Sequence, residues 1–140
     1  PHMVLPSAEG AGRAMRAALA DAGLEASEVG YINAHGTGTR ANDLAESSAI
    51  SALFGDRVAV SSTKGAHGHL IGAAGAVELL ACLLALREGL LPPTVGWRTP
   101  DPDCAIDLVT GLPRHAPVTA CLSNAFAFGG LNAVLVLSAG

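Results

Sequence analysis

Twice along the chain, a short run of apolar and β-branched residues ends in a glycine-rich turn that carries a histidine. The first run, residues 29–34, leads into His35, and the second run, residues 58–61, leads toward His69. Such runs predict strands, and glycines at the end of a strand allow a polar side chain to be presented there. We therefore expect a polar site at the ends of these strands.

Helical patterns alternate with the predicted strands. Apolar residues recur at helical spacing in three segments, 11–22, 42–54 and 72–88. Asn42 is expected to be the N-cap of the second helix. Beyond a proline-rich loop, two further strands are predicted at 118–123 and 132–138. This order of elements predicts an α/β fold.

The third predicted helix is apolar on nearly all sides. A helix of that kind is typically buried between two layers rather than exposed on a surface. The whole chain is 50% hydrophobic and only 14% charged, so we expect another segment or subunit to cover much of its surface. A layered sandwich, within an oligomer or a larger protein, is favoured over a single open sheet.

Charge, apolar runs and cysteine spacing argue against several classes of function. The net charge of -4 and the absence of a basic run argue against a nucleic-acid binder. The apolar stretch 71–86 is too short and too interrupted to span a membrane, and no signal peptide is indicated. The cysteine spacing favours a reducing, cytoplasmic compartment. No metal site is predicted, because no carboxylate or cysteine cluster accompanies His67 and His69.

The lysine near the second histidine indicates the chemistry of the site. A cation such as Lys64 lowers the pKa of a nearby imidazole, which then stays neutral and donates a hydrogen bond at pH 7. A donor of this kind suits an enolate or a thioester oxyanion, and the hydroxyls of Thr37 and Thr39 suit a polar ligand. Taken alone, the motif at His35 fits a strand-to-helix turn equally well, and the motif at His69 fits a helix cap with a solvated lysine.

Glu78 stands inside the third predicted helix, among apolar neighbours. If its carboxylate is buried there, it must be paired or hydrogen-bonded, and Lys64 is the expected partner. The alternative is a glutamate on an exposed stripe of the helix.

Taken in order, the motifs resemble the C-terminal half of β-ketoacyl synthases, which have a thiolase-like fold. The resemblance is carried by the segments 33–39, 61–64, 68–70, 72–78, 91–94 and 123–132. It implies that residues 1–140 are a ketosynthase C-terminal domain, with a layered αβαβα fold, a mixed sheet and a buried central helix. The chain is more similar to discrete condensing enzymes of fatty-acid or polyketide synthesis than to domains of modular synthases.

The resemblance also implies an activity, an acyltransferase reaction. In that family a cysteine carries the growing acyl chain, and two histidines promote decarboxylation of a malonyl thioester and stabilise the resulting enolate. The substrates are carried on the phosphopantetheine arm of an acyl carrier protein, so no cofactor or metal of the chain's own is expected. Expected partners are the acyl carrier protein and a companion half or chain in a homo- or heterodimer.

The family's functional residues correspond to particular positions of this sequence. His35 and His69 match the histidines, Lys64 matches the lysine beside them, and Glu78 matches the buried glutamate. The residues that correspond to the substrate-binding positions are Thr37 and Thr39 near the phosphopantetheine arm, and Phe126, Phe128 and Gly129 in the gating loop over the acyl pocket.

No cysteine of this chain fits the role of the nucleophile. Cys121 follows Thr-Ala as the family's cysteine does, but the residues after it match the last strand and the gating loop. Cys82 lies in the apolar helix and Cys104 in the proline-rich loop, where nothing lowers a thiol pKa. We expect the nucleophile in an N-terminal half outside this sequence, and His2-Met3 also resembles the family's residues just before the first helix.

The sequence departs from the family pattern at three positions and leaves other functions open. Ala127 stands in place of a small gating glycine, Leu131 in place of a threonine, and His67 where a small or amide residue is common.

One alternative function is a non-catalytic subunit like the chain-length factors that pair with active synthases. Another is an inactive ketosynthase fragment that serves as a binding surface.

Overall fold

The computed structural model describes residues 5–139, and His2-Met3 therefore lies outside the described residues. The helices are α1 (Ala8–Ala22), α2 (Arg40–Phe54), α3 (Lys64–His67) and α4 (Ala74–Glu88). The strands are β1 (Tyr31–Asn33), β2 (Ala59–Ser61), β3 (Leu90–Leu91), β4 (Asp107–Leu108), β5 (Arg114–His115), β6 (Ala120–Ala127) and β7 (Leu131–Ser138). Short 3₁₀ turns occupy Ala26–Glu28, Ile71–Ala73 and Phe128–Gly130.

The main sheet has the strand order β4-β2-β1-β6-β7. The strands β4, β2, β1 and β6 are parallel to one another, whereas β7 returns antiparallel to β6. The small strands β3 and β5 pair separately as an antiparallel ribbon. The predicted α/β class and mixed sheet are confirmed.

Capping residues explain where the first two helices begin. α1 starts at Ala8, earlier than predicted, because the side chain of Ser7 accepts a hydrogen bond from the backbone of Gly10. The prediction that Asn42 caps α2 was wrong. Thr39 is the N-cap, and its hydroxyl accepts from the N–H of Asn42, which places Asn42 inside the first turn of the helix.

Alternate residues of the strands face two separate apolar cores. On one face of the sheet, Ile32 of β1 and Leu122 of β6 pack in a cluster with residues of α1 and α2. On the other face, Tyr31 and Cys121 pack in a cluster with residues of α4 and with Leu91 of β3. The described residues therefore form three layers, with helices on both sides of the sheet.

The helix α4 is buried along one face only. Ala74, Glu78, Cys82 and Ala85 are buried against the sheet. On the outer side, Leu80, Leu83 and Leu84 are 57%, 40% and 56% exposed. The second layer that the apolar pattern predicts over this helix is not supplied by the part of the chain that the structure describes. Within that part, no helix combines the length and apolar character needed to cross a membrane.

The segment predicted as a proline-rich loop contains two short strands, β4 and β5. They are linked by a bidentate ion pair, in which the Arg114 guanidinium donates to both carboxylate oxygens of Asp107 at 2.5 and 2.8 Å. The strand β6 also continues beyond its predicted end at 123, because its pairing with β7 extends to Ala127. The segment that resembles the family's gating loop therefore lies at the turn between the paired strands β6 and β7.

Candidate active site

The residues proposed for the site lie at the carboxyl ends of the parallel strands. His35 follows β1, Lys64 follows β2, and Phe126 lies near the end of β6. In open α/β sheets, this edge is where ligands commonly bind. The strand ends also carry a row of buried polar side chains that are register partners: Asn33, Ser61 and Ser123.

The fold brings the two histidines of the glycine-rich turns together. The ring centroids of His35 and His69 are 5.6 Å apart, and the ring planes meet at 83°. The side chain of His35 is buried, whereas His69 is exposed in this chain. The two imidazoles are therefore neighbours, one buried and one exposed.

Lys64 and Glu78 form a buried ion pair beside these histidines. The Lys64 Nζ contacts Glu78 Oε1, and the two side chains are only 6% and 0% exposed. The predicted pairing of Glu78 with Lys64 is therefore confirmed. Loss of one partner of such a pair leaves an uncompensated buried charge, which typically costs about 3–5 kcal/mol.

The lysine determines which nitrogen of His35 carries the proton. Its ammonium group lies 3.5 Å from His35 Nδ1 and can only donate, so Nδ1 accepts and the proton of the neutral ring is on Nε2. Burial, then the charge of Lys64 and then His69, lower the pKa of His35 to about 4. His35 is therefore a neutral hydrogen-bond donor through Nε2 at pH 7.

A backbone contact gives His69 the same tautomer. The N–H of Ile71 donates to His69 Nδ1 at 3.1 Å, which leaves Nε2 as the protonated nitrogen of the neutral ring. Ile71 adopts a φ of +53°, and it is the only non-glycine residue with a positive φ among the residues described. A strained backbone of this kind typically costs about 1–3 kcal/mol and is concentrated at functional sites.

Glu46 organises the turn that carries His35, and the sequence reasoning missed this role. Its carboxylate accepts from the backbone N–H groups of His35 and Gly36, both at 2.8 Å, and from the side-chain amides of Asn42 at 3.2 Å and Asn124 at 3.1 Å. Burial raises the pKa of Glu46, and these hydrogen bonds oppose the rise. The available signal was its spacing of one helical turn from Asn42.

The residues matched to substrate binding lie in the segment between β1 and α2 and around the turn that joins β6 to β7. The hydroxyls of Thr37 and Thr39 lie 2.9 Å apart, and Thr39 also caps α2. The Phe126 ring lies 5.8 Å from the His35 ring. Phe128 is 76% exposed, and the neighbouring Gly129 has a φ of +79° that favours glycine.

The cysteines are placed where a nucleophile is not expected. Cys121 lies inside β6 and Cys82 inside α4, and burial raises the pKa of both thiols to about 12. Thiols with such pKa values are protonated at neutral pH and react poorly. Cys104 lies in the segment before β4. Within residues 5–139, no group of three or more His, Cys, Asp or Glu side chains is placed to hold a metal ion.

Two neutral imidazoles that both present an Nε2–H can stabilise negative charge on one oxygen. Donors of this kind, fixed in advance by the protein, stabilise a developing oxyanion without reorganisation. Lys64, Glu46 and the Ile71 backbone fix the position or the tautomer of these rings. The arrangement is therefore suited to chemistry that generates an enolate.

Comparisons with known proteins identify the family of this chain. Residues 2–98 match the family described as "Beta-ketoacyl synthase, C-terminal domain". Nodulation protein E of Rhizobium meliloti is 53% identical over 137 residues, which cover 96% of this chain and 34% of that protein. The chain thus spans about a third of the length of the curated relatives it matches.

Solved structures show the same fold. The ishigamide ketosynthase/chain length factor has a TM-score of 0.96 and 44% identity, over 99% of this chain and 35% of that one. A second structure, AntDE:AntF, is a type II PKS acyl-carrier protein in complex with its ketosynthase bound to the hexaketide. One chain of that structure matches with a TM-score of 0.93 and 35% identity, over 99% of this chain and 35% of that one. The chain belongs to the β-ketoacyl synthase family, as a ketosynthase C-terminal domain.

Proposed function

We propose that the complete protein containing this chain is an acyltransferase that condenses an acyl thioester with malonyl-acyl carrier protein by decarboxylative Claisen chemistry. The pathway is fatty-acid or polyketide synthesis. The observation that supports this most is the adjacent pair His35 and His69, since each presents a protonated Nε2 in its neutral form. A cysteine outside this sequence carries the acyl chain.

The proposed reaction uses the two imidazoles as donors to one oxygen. The malonyl carboxylate leaves as CO₂ when its carbon–carbon bond breaks, and the bonding electrons pass into an enolate. His35 and His69 donate hydrogen bonds from Nε2 to the enolate oxygen. The enolate carbon then attacks the acyl thioester carbonyl, the new carbon–carbon bond forms, and the cysteine thiolate leaves.

The other site residues support these two donors. Burial and the charge of Lys64, which Glu78 holds in place, keep His35 neutral, and Lys64 also donates to its Nδ1. We assign the phosphopantetheine arm to the turn of Thr37 and Thr39. The acyl group is assigned to the loop of Phe126, Phe128 and Gly129.

The proposed partners are an acyl carrier protein and a companion polypeptide or N-terminal half that holds the cysteine. A ketosynthase of the same fold is known in complex with an acyl-carrier protein. The apolar outer face of α4 is a surface that such a half would cover, since its leucines are exposed here. A homo- or heterodimer is part of the proposal, and no separate cofactor is required, because the carrier delivers both acyl groups.

A chain-length-factor-like subunit is the second candidate, because one related structure pairs a ketosynthase with such a factor. A purely structural subunit has no chemical need for the two imidazoles or for the buried pair of Lys64 and Glu78. The complete protein's own sequence distinguishes the two. A residue other than cysteine at the nucleophile position would favour the non-catalytic subunit.

The direct test is release of CO₂ from malonyl-acyl carrier protein by the complete protein. His35→Ala and His69→Ala should each lower the decarboxylation rate by about 10²–10³, which is the typical effect of losing one oxyanion donor. His115→Ala is the matched control, since this histidine is exposed on β5. If both site variants keep the unaltered rate, the proposed function is wrong.

A further inference from the structure

His67 lies between Lys64 and His69, at the last position of α3, and is half-buried. Both of its ring nitrogens have partners. Nδ1 is 2.8 Å from the carbonyl oxygen of Gly68, and Nε2 is 3.0 Å from the hydroxyl oxygen of Thr63. The side chain therefore bridges the two ends of the short helix.

These partners determine the tautomer of His67. A carbonyl oxygen only accepts, so the Gly68 contact requires a proton on Nδ1. In the neutral ring, Nε2 then accepts from the Thr63 hydroxyl. This is the opposite tautomer to the one that the structure assigns to His35 and His69.

The Thr63 hydroxyl connects this bridge to the turn that carries the other histidine. Its oxygen accepts from Asn33 Nδ2 at 3.3 Å, and Asn33 is the last residue of β1, just before the turn of His35. The same Asn33 amide donates to the hydroxyl of Tyr31 at 3.2 Å, and that hydroxyl is 2.8 Å from Ser61 Oγ. Tyr31, Asn33 and Ser61 are fully buried, so this network has a rigid base.

At its other end, the network holds the peptide that precedes His69. Gly68 has a φ of +79°, and because glycine lacks a Cβ it has more conformational freedom than other residues, so contacts at this position matter. The carbonyl that His67 binds belongs to the peptide between Gly68 and His69. Restraint of that peptide restrains the position of the His69 ring relative to His35.

We propose that His67 is a positioning residue. Its ring connects the Gly68–His69 peptide by hydrogen bonds to Thr63, and through Thr63 to Asn33, so that the two site imidazoles stay side by side. This inference rests on the proposed function, in which both rings must donate hydrogen bonds to the same oxygen. Small misplacements of such groups are costly, since a shift of about 1 Å can lower a rate by about 10²-fold. His67 itself does not touch the reacting atoms.

The first test is the tautomer, read by long-range ¹H–¹⁵N correlation spectra of the complete protein labelled with ¹⁵N-histidine at neutral pH. His67 should carry its proton on Nδ1, whereas His35 and His69 carry theirs on Nε2. Thr63→Val removes the donor to Nε2 and should shift the nitrogen signals of both His67 and His69. A His67 ring protonated on Nε2 in the unaltered protein would overturn the proposal, whether or not the protein decarboxylates malonyl thioesters.

The second test is kinetic. His67→Ala should lower the turnover number for malonyl decarboxylation by about tenfold with little change in KM, because binding is kept and alignment is lost. His67→Gln retains one donor and one acceptor and should recover most of the rate, and His115→Ala should have no effect. If His67→Ala unfolds, the comparison of His67→Gln with Thr63→Val replaces it, with Thr63→Val the slower of the two.

Two kinetic outcomes would contradict the positioning role. One is an unaltered rate in His67→Ala together with unaltered His69 signals. The other is an equal loss of rate in His67→Ala and His67→Gln while the His69 signals stay unchanged. A protein that lacks decarboxylase activity in its unaltered form contradicts the proposed function instead, and the His67 and His69 spectra then decide the positioning role.

Discussion

Lys64 acts on two groups at once, since its ammonium lies between the His35 ring and the carboxylate of Glu78. The same cation is thereby held by a counter-charge and directed at Nδ1 of the imidazole. Because burial and this charge both disfavour protonation, the His35 ring stays neutral at physiological pH. The lysine needs no direct contact with a substrate to influence the chemistry.

Removal of this charge should raise the pKa of His35 from about 4 toward its ordinary value. Lys64→Met is best combined with Glu78→Gln, because the single variant leaves a buried carboxylate without a partner. The midpoint of the His35 titration, followed by ¹⁵N spectra, should move to higher pH in the double variant. The unaltered protein is the reference, and an identical midpoint in it and in the double variant would contradict this role of Lys64.

The helix α2 positions the first histidine turn through its N-terminus and through one buried side chain. Thr39 caps the helix, and Glu46 binds the backbone of the turn from the second turn of the helix. The sequence predicted the helix correctly but placed the cap at Asn42 instead of Thr39. A capping residue and a residue of the first turn are hard to distinguish from sequence, since both favour short polar side chains.

Thr39→Ala should lower the free energy of unfolding by about 1 kcal/mol, because the first turn of α2 loses its side-chain acceptor. Thr39→Ser keeps the hydroxyl and should stay close to the unaltered protein. Denaturant-induced unfolding, followed by circular dichroism, measures both. Equal stability of all three proteins would show that the Thr39 hydroxyl contributes nothing to this helix.

The layered architecture explains why a chain with few charges leaves apolar side chains exposed. Two helices cover one face of the sheet and α4 covers the other, but the leucines on the outer side of α4 have no cover among the residues described. The periodicity of α4 predicted burial on all sides. Periodicity reports how many layers a helix contacts, but not which polypeptide segment supplies each layer.

The neutral state of His35 also gives the folded protein a pH-dependent stability. The unfolded imidazole protonates near its ordinary value of 6.5, whereas the folded one protonates only near about 4. Between these values the unfolded chain binds more protons, so the free energy of unfolding falls as the pH is lowered through that window. Above it, this contribution is constant.

This effect can be isolated by comparison with His35→Asn, which has no titrating ring at that position. We expect the Tm of the unaltered protein, relative to that of the variant, to fall between pH 7 and pH 4.5. Glu46 titrates in both proteins, so its own effect largely cancels in the difference. A Tm difference that is independent of pH would contradict the lowered pKa of His35.

Local sequence was enough to predict the α/β class and the strands before each histidine turn, because periodicity and glycines act over short stretches of chain. The family was predicted from the resemblance of the motifs. It did not establish that His35 and His69 lie 5.6 Å apart, that Glu46 binds the first turn, or which nitrogen of each imidazole is protonated. Those features depend on strand order and register, which bring residues from distant parts of the chain together at one edge of the sheet. The physical reason is that proximity, burial and hydrogen-bond partners are set by packing among layers, whereas the pattern of a single segment determines only its own conformation and the face it buries.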